Sequence, residues 1–342
     1  MSSAQAKGSQ ADGSGASGAR AAEPGAATSG AEASGAATSG AEASGTENRA
    51  GGLEIGGIPA LREWRKRQTG TVALVPTMGA LHSGHRALME RARQTADHLV
   101  VSIFVNPLQF GPGEDFTRYP RPFAEDIAAC EEAGADFVFA PAFIEMYPSA
   151  PEVTVTGGRM GAVFEGADRP GHFDGVLTVV TKLFTLIEPD VTVFGLKDIQ
   201  QFSLVRRLIA DLDFDIELIG LPVVRDRDGL ATSSRNEYLS PGERAAALAI
   251  PRALAAAEKA VRIDNALPPD TLEVARRVLD IGIESAQADG GPDVRVHYLS
   301  LVDAATLQPV ADHFRGSALL LAAVTVGTTR LIDNVPVEFS AE

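Results

Sequence analysis

Residues 71–85 read TVALVPTMGALHSGH. Thr71–Met78 is a short apolar, β-branched run that ends in turn chemistry, the mark of a buried strand. Gly84–Asp97 then continues at helical spacing, with Leu88, Ala92 and Ala96 on one stripe. The alternation repeats outward. Strands are expected at Leu99–Val105, Ala135–Ala140, Val191–Phe194 and Ile216–Val224, with helices at Phe123–Ala133, Val176–Ile187 and Ile199–Ala210. Strands buried on both faces and separated by helices imply a parallel sheet with right-handed crossovers. The fold class is therefore α/β, a doubly wound Rossmann-like sheet over 51–224. Beyond Arg225–Gly229 the rhythm changes. Helices at Pro241–Arg262 and Thr271–Ala288 precede more alternating strands at Val294–Val302, Ala318–Val326 and Leu331–Val335, which predicts a smaller C-terminal α+β domain over 225–342.

The first fifty residues are mostly Ala, Gly and Ser and carry GAATSGAEAS twice in tandem, at 25–34 and 35–44. Such a segment cannot bury enough apolar surface to offset the entropy of ordering it, so 1–50 is expected to be a disordered tail. The other 292 of the 342 residues suffice for one large and one smaller core. A net charge of −15 argues against a broad nucleic-acid or anionic-membrane surface. The single cysteine, Cys130, excludes an internal disulfide framework and a multi-Cys zinc site, and fits a reducing cytoplasm. No apolar run reaches the length that spans a bilayer, and no secretory signal opens the chain.

In open α/β sheets ligands bind beyond the carboxyl ends of the strands, so functional residues should follow Val75, Val105, Phe194 and Val224. After the first come Gly79 and Gly84, which let the backbone approach a ligand, and His82 and His85, which can donate to phosphate oxygens at a helix N-terminus with free N–H groups. After the second, Asn106 and Gln109 place two amides at the edge, suited to a small polar acid. Following the fourth strand, Lys197 can hold a phosphate, Asp198 can ligate Mg²⁺ shared with phosphate oxygens, and Gln201 lies one helical turn on. Thr232, Ser233, Ser234 and Arg235 then form a hydroxyl and guanidinium clamp for a polyphosphate. A further candidate is the loop Arg169-Pro170-Gly171-His172-Phe173-Asp174, which equally reads as a capping segment.

Taken in order, PTMGALHSGH, FVNPLQF, RYPR, GHFDGV, FGLKDIQQ and DGLATSSRNEYL resemble the pantothenate synthetases, or pantoate–β-alanine ligases, over about residues 53–338. These belong to the wider H-x-G-H nucleotidyltransferase group, and Thr232–Arg235 stands where related tRNA synthetases carry a Lys-containing loop. The resemblance implies ATP-dependent condensation of (R)-pantoate with β-alanine through pantoyl adenylate, with AMP and pyrophosphate released. It implies catalytic roles for His82, His85, Lys197, Ser233, Ser234 and Arg235, with His85 as a proton donor. ATP would be lined by Met78, Gly79, Ala80, Leu81, His82, Ser83, Gly84 and His85, by Gly195, Leu196, Lys197 and Asp198, and by Val224 and Thr232–Arg235. Pantoate would meet Gln109 and Gln201 with Asn106 nearby, β-alanine would meet Gln109, and Asp198 would hold Mg²⁺. Family members have Leu or Met at the position of Thr232, and the assembly expected is a cytoplasmic homodimer. Three other classes share parts of this pattern: a nucleotidyltransferase, a tRNA synthetase and a non-enzymatic nucleotide-binding module. The first gives no reason for the paired Gln109 and Gln201, the second needs a basic surface, and the third needs neither Lys197-Asp198 nor Ser233–Arg235.

Overall fold

A computed structural model describes residues 47–48, 52–288 and 290–340. The tail expected over 1–50 therefore lies outside the described residues, except for Glu47–Asn48. Those two form β1, which pairs antiparallel with β2, Glu54–Gly56. Five further strands complete the main sheet: β3 Val72–Thr77, β4 His98–Ile103, β5 Phe137–Phe139, β6 Val191–Gly195 and β7 Glu217–Leu221. The order is β1-β2-β5-β4-β3-β6-β7, parallel from β2 onward. Five of the six parallel strands are those expected from the sequence. The sixth, β2, is not, because its three residues Glu54-Ile55-Gly56 are too short to show a period.

Alternation along each strand decides which helices cover which face. Val72 and Leu74 of β3 join a core with α1 (Ile58–Arg67), α7 (His172–Ile187) and α8 (Ile199–Asp211). Ala73 and Val75 face the opposite way, into a core with α2 (Ser83–Arg93) and α3 (Phe123–Glu132). Trp64 of α1 is buried against Phe137, with ring centroids 5.3 Å apart. Each such fully buried side chain contributes about 1.5–3 kcal/mol. Three one-turn helices, α4 (Phe143–Met146), α5 (Gly158–Gly161) and α6 (Glu165–Asp168), lie in the long connection from β5 to α7.

The strand order reverses beside β3. From there β4 and β5 run to one side, β6 and β7 to the other. Pairing between β3 and β6 is limited to Ala73–Val191 and Leu74–Thr192, so their carboxyl ends are not tied to each other. That is the topological switch point at which α/β sheets accept ligands.

The C-terminal part is α9 (Pro241–Ala247), α10 (Ala249–Asp264), α11 (Pro268–Gln287) and an antiparallel sheet of β8 (Val294–Asp303), β9 (Gly316–Val326) and β10 (Thr329–Phe339), ordered β10-β9-β8. One helix is expected over Pro241–Arg262, but there are two. Pro251 has no N–H to give and crowds the carbonyl four residues back, that of Ala247, where α9 ends. One face of this sheet packs on α10 and α11. On the other, Val302, Leu319 and Leu321 meet Met160, Phe164 and Ile199 of the first part. Arg330 ties the contact to Glu165 and, at 2.6 Å, to Asp168.

Candidate active site

The segment after β3 is a tight turn rather than an open helix end. Gly79 and Ala80 both adopt left-handed backbone, with φ +84° and +52°. The Gly79 N–H donates to Thr77 Oγ1 at 3.2 Å, and the Ala80 and Leu81 N–H groups donate to the Asp126 carboxylate at 2.9 and 2.7 Å. His82 caps α2 by accepting the Gly84 N–H on Nδ1 at 3.1 Å, while His85 Nδ1 accepts the His82 N–H at 3.3 Å. The free N–H groups expected here are thus largely satisfied within the protein. What the turn offers a ligand is two imidazoles. With both Nδ1 atoms accepting, each neutral ring carries its proton on Nε2. The rings stack with centroids 4.1 Å apart. Burial and the charge of Lys197 push the His82 pKa down, and burial followed by His82 pushes that of His85 down to about 3.

The 3-10 turn Pro107–Gln109 after β4 is held from behind by Asn106. Asn106 Oδ1 accepts from Tyr147 Oη at 3.0 Å and from the Leu108 N–H at 3.4 Å. Its Nδ2 donates to Gly175 O at 3.0 Å and to Gln109 Oε1 at 3.1 Å. Asn106 is only 1% exposed. Asn106 lines neither of the cavities described below; its side chain is engaged inside the protein and orients Gln109. The other Gln109 amide group donates to Met78 Sδ at 3.0 Å.

The Arg169–Asp174 loop, for which the sequence leaves two readings, grips the same turn. Arg169 donates to both Glu114 oxygens at 2.8 and 2.6 Å and to Gln109 O at 3.3 Å. His172 Nδ1 lies 2.7 Å from Gln109 O, which can only accept, so Nδ1 carries the proton and Nε2 accepts from Arg169 at 3.1 Å. Burial and Arg169 lower the His172 pKa, and the Arg169 bond holds the Glu114 carboxyl below the usual carboxylate range.

Beyond β6, Lys197 and Asp198 sit in a 3-10 turn with Nζ 3.9 Å from Oδ2. Asn334 of β10 donates to the carbonyls of Leu196 and Lys197 at 2.8 and 2.9 Å, joining the C-terminal sheet to this turn. On α8, Gln200 is buried and bonds to Met160, Val163 and Glu165, whereas Gln201 lines the cavity. Beyond β7 the Thr232 hydroxyl donates to Asp226 Oδ1 at 2.7 Å, and Asp226 also receives Arg244 at 2.7 Å and Asn236 at 3.2 Å. Burial alone would raise the Asp226 pKa, but these donors outweigh it and hold the carboxyl low.

A cavity of about 270 Å³ at the switch point collects these groups. Met78, His82, Gly84, His85, Gln109, Gly195, Lys197, Asp198, Gln201, Val224 and Thr232–Arg235 line it, with Val176, Val179, Val180 and Leu183 of α7 as an apolar wall. A neighbouring cavity of about 1090 Å³ shares Arg169, His172, Lys197, Asp198, Gln201, Ser233 and Arg235. Of the expected ATP contacts, Gly79, Ala80, Leu81, Ser83 and Leu196 line neither cavity. The first three have their N–H groups turned to Thr77 and Asp126. Asp126, Glu114 and Tyr147 escape a reading of the sequence. Each acts on a residue 41 to 55 positions away and leaves no local pattern.

The pantoate-beta-alanine ligase family model matches residues 55–336. The chain belongs to that family. It is 53% identical over 282 residues to a pantothenate synthetase of Acidothermus cellulolyticus, covering 82% of this chain and 89% of that one. It is 54% identical over 275 residues to one of Thermobifida fusca, covering 79% and 90%. A crystal structure of the Thermus thermophilus pantothenate synthetase superposes with TM-score 0.75 at 44% identity, over 83% of this chain and 98% of that one. A Francisella tularensis pantoate-beta-alanine ligase, complexed with beta-gamma ATP and beta-alanine, superposes with TM-score 0.66 at 29% identity, over 82% and 96%.

Proposed function

We propose that the protein condenses (R)-pantoate with β-alanine at the expense of ATP, forming pantothenate, AMP and pyrophosphate through a pantoyl-adenylate intermediate. The observation that carries this reading is one cavity lined both by phosphate-directed groups and by two neutral amides with the apolar residues of α7. In the first half-reaction the pantoate carboxylate attacks the α-phosphorus and pyrophosphate departs. Charge then grows on phosphate oxygens, where His82, His85, Lys197, Ser233, Ser234 and Arg235 supply donors and positive charge. Gln109 and Gln201 bind pantoate's polar groups, and the valines of α7 accept its dimethyl carbon. In the second half-reaction the β-alanine amine attacks the acyl carbon beside Gln109 and AMP leaves. Val224 and the backbone of Thr232–Arg235 complete the ATP site.

Asp198 is the proposed Mg²⁺ ligand. Among the described residues no cluster of three His, Cys, Asp or Glu could cage a metal alone. A single exposed carboxylate beside substrate phosphates fits the way Mg²⁺ accompanies nucleotides. The ion would supply charge neutralisation on the phosphates. Residues 225–342 are proposed as a smaller domain that closes over the nucleotide, supported by Ser233–Arg235 and by the Asn334 bonds to the Lys197 turn. A cytoplasmic homodimer is proposed from the family resemblance. No helix among the described residues is long and apolar enough to cross a membrane.

Pyrophosphate release measured with pantoate and ATP, with and without β-alanine, tests the reading. A burst of about one pyrophosphate per site without β-alanine, followed by turnover on its addition, is expected. No pantoate-dependent release would overturn it. In the same assay Gln109→Ala should raise the pantoate KM about tenfold or more, because the amide is lost from a well-oriented contact. The ATP KM should stay within about twofold, since the Gln109 amide bonds to Met78 and Asn106 and to none of His82, His85, Lys197 or Ser233–Arg235. Equal losses for both substrates would remove Gln109 from the pantoate side.

A further inference from the structure

We propose that Asp126 is a positioning residue for the adenylation step, setting the His82–His85 pair through the turn that precedes it. The inference rests on the proposed reaction and adds a residue from a different element, α3, to its machinery. The turn between β3 and α2 is strained. Gly79 and Ala80 take consecutive left-handed conformations, and Ala80 has a side chain that disfavours this. Such a backbone persists only when its surroundings over-determine it. Asp126 does so by accepting from two successive N–H groups, Ala80 on Oδ2 at 2.9 Å and Leu81 on Oδ1 at 2.7 Å. The carboxylate is packed close enough that a Cβ on Gly79 would lie 2.8 Å from Oδ2. The residue that follows this clamp is His82, whose N–H meets His85 Nδ1.

Stability alone does not explain a carboxylate here. Asp126 is 2% exposed, no cation is paired with it among the described residues, and burial pushes its pKa up. Its place in the first turn of α3 offsets part of that cost through the helix dipole. An apolar side chain would fill the space without a buried charge, but it would leave the Ala80 and Leu81 N–H groups without their acceptor. What it could not do is fix the direction of two N–H groups. By engaging them, Asp126 also leaves the imidazole Nε2–H groups as the donors this turn presents to the cavity.

Asp126→Asn keeps the shape but gives the turn one carbonyl and one opposing amine in place of two acceptors. Single-turnover pyrophosphate release from ATP and pantoate should fall about tenfold to a hundredfold, the scale of misplacing a reacting group. Conversion of supplied pantoyl adenylate with β-alanine should stay within about twofold, because no pyrophosphate departs there. Adding Ala80→Gly, which removes the left-handed penalty, should restore pyrophosphate release several-fold. Melting curves of both variants accompany the rates. Loss of both half-reactions alike, absence of a cooperative melt in either variant, or an unchanged first half-reaction would each overturn the proposal. Failure of the unaltered enzyme to release pyrophosphate would instead refute the reaction itself.

Discussion

Replacing His85 with alanine is expected to slow adenylate formation by about 10²–10³-fold, the loss of roughly 2.7–4 kcal/mol that follows removal of one preorganised donor. The geometry specifies which form of the ring acts. Nδ1 is occupied by the His82 N–H, so the cavity sees Nε2–H. Burial and His82 hold the pKa down to about 3, so the free enzyme's ring is neutral at pH 7. A proton-donor role is then a hydrogen bond that strengthens as negative charge builds on the departing pyrophosphate, whose approach raises the imidazole pKa. His85→Gln, which retains an N–H donor, should recover part of the loss. Supplied pantoyl adenylate should still be converted to pantothenate at close to the normal rate. A single-turnover comparison of the two half-reactions decides: equal losses in both would make His85 a structural or acyl-transfer residue.

The residues that chemistry needs are legible because they follow buried strands. TVALVPTM and LVVSIFV are apolar on both faces, so a parallel sheet covered by helices is the arrangement that buries them, and its carboxyl edge locates His82, Gln109, Lys197 and Ser233 together. What is not legible is how those side chains are held. Nothing near Gln109 in sequence announces that Tyr147 and Gly175 fix Asn106, or that Arg169 and His172 grip the Gln109 carbonyl. Asn106 shows the limit of residue type as a guide. An amide at the ligand edge reads as a contact, and nothing in the sequence tells that Asn106 is 1% exposed with four bonds inside the protein. The unexpected strand β2 and the break before α10 have different causes. Glu54–Gly56 lacks length, whereas the clash of Pro251 with Ala247 interrupts a helix whose apolar spacing runs on unbroken.

The second large effect concerns Gly175, where the first turn of α7 approaches the Pro107–Gln109 turn. A glycine inside a helix costs about 1 kcal/mol relative to alanine, so on local grounds Gly175→Ala should stabilise the protein. Packing opposes this. A Cβ there would fall 2.1 Å from the Leu108 carbonyl oxygen, 2.3 Å from its carbon and 2.6 Å from the Gln109 nitrogen. All three are backbone atoms, so no side chain can swing aside. Overpacking of this kind costs about 1–3 kcal/mol and forces the backbone to move. The steric term wins. The moving part is the turn that carries Gln109, because Asn106 and His172 bind α7 and the turn together. A displacement near 1 Å can cost on the order of 10²-fold in rate. Gly175→Ala should therefore lower the melting temperature by several degrees, at about 2–4 °C per kcal/mol. It should raise the pantoate KM by at least about tenfold while leaving the ATP KM within about twofold. A variant that melts higher than the parent with an unchanged pantoate KM would show that the turn yields without cost, and that Gln109 does not depend on α7 for its place.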